Sequence, residues 1–180
     1  PLRHTKRVFE RVLSAQYQFF RNPFDNTGQL VGMDPRIREQ AEVIVDHSTD
    51  VQAGDNVVIS APAVADDLVV ALHELLGDKG ANPLSVAGHS QATRAYLRAS
   101  DPDEFETPAH ELAMWEAADV AISVRAGLNA TETSDVGAET MTAHRVAHQR
   151  VQEARLSTRW CLTQFPTRAQ AQLAELSTEG

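Results

Sequence analysis

The sequence predicts an α/β fold: a three-layer sandwich whose mostly parallel sheet is covered by helices on both faces. Three observations carry this expectation. Residues 57–60 and 119–125 are apolar, β-rich runs, and the first is continuously apolar, as a strand covered on both faces should be. Segments of about 10 to 20 residues with helical apolar spacing stand between such runs. Strands separated by such helical segments imply right-handed crossovers and a mostly parallel sheet.

Each element has its own local reason. Asp34 is a good helix N-cap and Pro35 a good first helical residue, because proline's missing N–H is not needed there. Ile37, Ala41, Ile44 and Val45 form one apolar stripe behind them. Gln52-Ala-Gly-Asp55 turns the chain into the first strand, 57–60, which Pro62 ends. A helix over 64–76 puts Leu68, Val69, Leu72, Leu75 and Leu76 on one face, with Gly77 or Gly80 as its left-handed exit. Residues 83–87 make the second strand, and a helix follows over 92–99. A loop opens at Asp101-Pro102, and 108–117 is helical again with Leu112 and Trp115. The third strand spans 119–125, the next helix 137–148 and the fourth strand 157–165, where Pro166 stops the ladder. Residues 168–176 begin a further short helical pattern.

Residues 1–32 differ from the rest. They carry five basic and two acidic side chains, a charge of +3, against −12 for the remainder of a chain whose net charge is −9. Asn22-Pro23 and Asn26-Thr-Gly28 break any helix begun at Thr5. This stretch is expected to be a basic extension outside the fold, and it lacks the long apolar centre of a signal peptide. Residues 33–180 are expected to be the α/β domain.

Composition narrows the function classes. Lysine occurs only at 6 and 79, and an acidic, lysine-poor surface repels nucleic acid phosphates. It also fits a protein kept hydrated in high salt, a halophilic adaptation. No apolar run approaches the roughly 20 residues needed to span a bilayer, so no membrane partner is expected. The single cysteine, Cys161, rules out an internal disulfide framework and fits a reducing, cytoplasmic setting. Inside an apolar strand it reads as a small buried hydrophobe.

Few motifs carry chemistry. His144 and His148 are four apart on a helix, as zinc ligands would be, but Arg145 stands where the zincin pattern needs glutamate. No metal site is therefore expected there. Gly88-His89-Ser90-Gln-Ala lacks the second glycine of a nucleophile elbow and reads as a strand-to-helix turn capped by Ser90. No glycine-rich nucleotide loop exists. The loop Asn129-Ala-Thr-Glu-Thr-Ser-Asp135 follows the third strand, on the carboxyl edge where open parallel sheets place ligands. Arg125, Asn129, Thr131 and Ser134 are the candidate cleft residues, although such positions also serve plain surface loops and helix caps.

An ordered series of motifs adds a family likeness. Met33-Asp-Pro-Arg-Ile, Val51-Gln-Ala-Gly-Asp-Asn-Val-Val-Ile-Ser60, Asn129-Ala-Thr-Glu-Thr-Ser-Asp135, Arg155-Leu-Ser-Thr-Arg-Trp-Cys-Leu-Thr-Gln-Phe-Pro-Thr167 and Leu176-Ser-Thr-Glu179 together resemble the thermophilic metallo-aminopeptidases, the aminopeptidase T and leucyl aminopeptidase group. The resemblance covers residues 33–179 and implies the N-terminal domain of a peptide-cleaving enzyme, with a peptide substrate and a homodimeric assembly. It also implies divalent zinc, cobalt or manganese ions held by a C-terminal domain, so no catalytic or metal-ligating residue is expected within these 180 residues. The chain by itself is expected to be inactive and cut off before that domain. A stand-alone, non-catalytic interaction or small-ligand-binding domain is the competing expectation.

Overall fold

The computed structural model describes residues 34–126 and 132–167. The described elements belong to the unit Pro35–Gly180. The expectations for residues 1–32 and 168–176 lie outside the described residues.

Four strands form one all-parallel sheet: β1 (Asn56–Pro62), β2 (Asn82–Gly88), β3 (Val120–Arg125) and β4 (Arg159–Gln164), in the spatial order β2-β1-β3-β4. The register pairs Val58 with Leu84 and Ala121, and Ala121 with Trp160. Among the described residues six α-helices connect and cover the strands: α1 (Pro35–Glu42), α2 (Asp66–Lys79), α3 (Ser90–Ala99), α4 (Ala109–Glu116), α5 (Ala138–Ala147) and α6 (Gln149–Ser157). The α/β class and helix-covered sheet expected from the alternation are what form.

Side chains alternate across the sheet and so define two faces. His73 of α2 bonds Ser85 of β2 at 2.7 Å, which places the row Ser85, Ile59 and Ile122 on the side of α2. Leu68, Leu72 and Leu76 of α2 are fully buried, as are Ile59 and Ile122. Ion pairs Arg38–Glu74 at 3.3 Å and Lys79–Asp46 at 2.8 Å hold α1 and its continuation against α2. On the opposite face Val58 and Ala121 form a cluster with Trp115 of α4 and Val151 of α6.

Several local outcomes differ from the expectation, each for a physical reason. The first helical stripe does run on through Ile44 and Val45, which are buried, but past Glu42 it does so as a π-turn, Val43–Ser48, rather than as α-helix. Its end is closed by Thr49, whose amide and buried hydroxyl both donate to the Ile44 carbonyl. Residues 149–157 form α6, which apolar spacing did not reveal, because Val151 is its only buried residue. The fourth strand consequently begins at Arg159 rather than 157. Cys161 is half-buried, not buried, because β4 lies at an edge of the sheet.

Of the two glycines that could end α2, Gly80 does so. It adopts φ +72°, and its amide donates to the Gly77 carbonyl. A Cβ there would meet only Ala53 at 3.9 Å, so backbone strain alone decides the substitution. Gly80→Ala should lower stability by roughly 1 kcal/mol, read as a shift of the urea midpoint at unchanged slope.

Candidate ligand cleft at the carboxyl edge

The strand order makes the connections leave the centre in opposite directions. From β1 the chain moves outward to β2, then crosses back to β3 on the other side of β1. Helices on opposite faces therefore diverge at the carboxyl ends of β1 and β3, which opens a crevice. A cleft of about 950 Å³ lies there. It is lined by Ser60 and Pro62 at the end of β1, Gly88, His89 and Ser90 in the turn after β2, Val124 and Ala126 around the end of β3, and Glu132.

The turn after β2 differs from the expected Ser90 cap. His89 is the N-cap, with extended backbone (φ −121°, ψ 90°) and no side-chain cap bond, so Ser90 is already helical. Thr93 closes the first turn through its amide and hydroxyl, which donate to the His89 carbonyl at 2.9 and 3.1 Å. The Ser90 side chain is thereby left at the cleft. No hydrogen bond joins His89 to Ser60 or Ser90 among the described residues, so these groups can bind a polar ligand but do not form an activated nucleophile.

The loop after β3 is fastened to α3. Arg94 grips Asp135 with both ends of its fork, Nε donating to Oδ1 at 2.7 Å and Nη2 to Oδ2, while Arg98 approaches Oδ2 at 3.2 Å. The Arg94 hydrogen bonds hold the Asp135 carboxyl below its ordinary range. Of the four residues singled out from the sequence, Arg125 is exposed at the end of β3 and Ser134 is exposed in the turn closed by Val136 N–H to Thr133 O at 3.1 Å. Neither lines the cleft, and Asn129 and Thr131 lie outside the described residues. Ser60, His89 and Glu132, which do line it, were not singled out. The carboxyl-edge rule applied to the ends of the first two strands, and not only to the third, points to Ser60 and His89.

His144 and His148 stack, with ring centres 3.9 Å apart, beside Phe105. His148 Nδ1 faces the His144 carbonyl at 2.9 Å, and its Nε2 stands 3.6 Å from Glu111. Burial, then the neighbouring His148, pushes the His144 pKa down. Among the described residues no group of three His, Cys, Asp or Glu side chains could hold a metal ion. The described part of the chain thus does not fit a metal centre.

A family model described as thermophilic metalloprotease (M29) matches residues 33–179. The chain belongs to this family. Among solved structures this metalloprotease-family chain is similar to wild-type AmpT from Thermus thermophilus, with a TM-score of 0.61 and 19% identity over 74% of this chain. It spans 36% of that chain's length, and the likeness shows the shared fold. Weaker likenesses are to the CurK enoyl reductase (TM-score 0.36, 16% identity, 77% of this chain and 44% of that one) and to an alcohol dehydrogenase superfamily protein from Novosphingobium aromaticivorans (0.33, 14%, 77% and 43%). No curated protein matches the chain in sequence. No helix among the described residues is long and apolar enough to cross a membrane.

Proposed function

We propose that this chain is the N-terminal domain of a metal-dependent aminopeptidase, which removes N-terminal residues from peptides when joined to a domain that carries zinc, cobalt or manganese. The family match over residues 33–179 is the observation that supports this most directly. In the whole enzyme the bound metals would activate water and polarise the scissile carbonyl. The part played by this chain is to shape the substrate cavity with the carboxyl edge of its sheet, and to contribute to association of two subunits in the cytoplasm. Residues 1–32 are an appendage to that domain. Arg125 at the end of β3 and Asn129, Thr131 and Ser134 after it would face the substrate.

Two measurements test this reading. In the full-length enzyme, replacing Asn129 and Thr131 together by alanine should raise KM about tenfold through lost hydrogen bonds, with kcat little changed. Unchanged KM removes the loop from the substrate site. The 180-residue chain with added cobalt or zinc should release no amino acid from a leucyl peptide. Chelator-sensitive release would place the metal centre within this chain. A stand-alone small-ligand domain is the second reading, favoured by the cleft at the sheet's switch point.

A further inference from the structure

The face of the sheet that carries Val58 and Ala121 also carries Ser123 and Arg125 further along β3, because alternate residues share a face. Arg155 reaches this row from the last turns of α6, and its Nη1 donates to Ser123 Oγ at 2.8 Å. Ser123 and Arg125 are about 7 Å apart along the strand, which puts Arg125 on the same face as the Arg155–Ser123 pair. Arg155 Nε is buried without a hydrogen-bond partner, and its bond to Ser123 is to a neutral hydroxyl. No carboxylate lies within ion-pair distance of Arg155 or Arg125 among the described residues. Arg38, Arg94, Arg98 and Arg159 each meet one. A part-buried cation without a counter-charge is costly, and a bound oxyanion would offset that cost.

The surroundings define the rest of the ligand. Leu162 pairs with Ser123 in the β3–β4 register and Trp160 precedes it on the same face. They are 44% and 52% exposed, leaving an apolar shelf beside the two arginines. A chain of net charge −9 disfavours a polyanion, whereas two planar forks suit a single carboxylate. We propose that Arg155, Arg125 and Ser123 form a binding site for an organic carboxylate whose apolar portion lies on Leu162 and Trp160. Binding is read on the chain itself without turnover, so its failure would leave the peptidase reading untouched.

The test is an NMR titration of the 180-residue chain with N-acetyl-leucine, following the Arg155 Nε–Hε signal and the backbone amides of Ser123 and Arg125. N-acetyl-leucine amide is the uncharged control and sodium chloride the ionic-strength control. Saturable shifts are expected with the acid and not with the amide, weakening as salt is raised. Arg125 is exposed and shows no side-chain partner, so Arg125→Gln should keep the amide spectrum while weakening binding about tenfold. Equal response to the amide, shifts that chloride reproduces, or unchanged affinity in Arg125→Gln would each overturn the site. Replacing the acid by inorganic phosphate distinguishes carboxylate from general oxyanion capture: tighter binding of phosphate sinks the carboxylate assignment.

Discussion

Leu72→Ala should destabilise the domain by about 2–5 kcal/mol, the range for emptying a fully buried leucine position. Leu72 is 0% exposed in the middle of α2, the helix that lies between the sheet and α1. Close packing at a fully buried site lets the surroundings collapse only partly around the missing atoms. The control is Leu84→Ala on edge strand β2, where the leucine is 50% exposed and the loss should stay below about 1 kcal/mol. Urea unfolding of both variants measures the difference. Similar losses at the two sites would mean that the α2 layer does not hold the sheet together.

Arg159→Ala should cost about 1–3 kcal/mol, more than an exposed ion pair, because one side chain ties β4 to the distant turn 49–55 through three bonds. Its Nη2 meets Asp55 Oδ2 at 2.5 Å, and its Nη1 donates to the carbonyls of Asp50 at 2.6 Å and Thr49 at 3.2 Å. Asp50 holds a left-handed backbone, φ +44°, that points its carbonyl to this contact. Burial works against ionisation of Asp55, but the Gln52 amide at 2.6 Å and the Arg159 guanidinium outweigh it and leave the carboxyl below its ordinary range. The sign follows from proton counting. Near pH 4 the unfolded carboxyl binds more protons than the folded one, so stability rises with pH there. The contribution is complete above the unfolded value of about 3.9 and disappears as pH falls through the folded value. Asp55→Asn should therefore flatten the acid limb of stability against pH and lower the plateau at pH 7. An acid limb identical to wild type would show that Asp55 is not the group responsible.

The elements legible in the sequence were those with strong periodicity. Five leucine and valine positions on one face announced α2, and the continuous run Val57-Val-Ile announced a strand covered on both sides. The site was less legible. Rules for parallel sheets directed attention to the loop after β3, and Glu132 of that loop does reach the cleft. His89 and Ser60 were passed over because the motifs that contain them read as a strand-to-helix turn and as a strand. They meet only because β1 and β2 end at the same level, with Pro62 opposite Gly88. The helix α6 stayed hidden because it buries little more than Val151, and its anchoring comes from Trp115 and Ala121, far away in the chain.

By itself the sequence determined the α/β class, the family likeness and the acidic character of the chain, since these depend on local periodicity, motif order and composition. Tertiary structure alone decided the strand order, the crevice between β1 and β3, and the meeting of Arg155 with Ser123 and of Arg159 with Asp55. Those contacts join residues 32 and 104 positions apart, and only the crossovers of a parallel sheet bring such partners within hydrogen-bond reach.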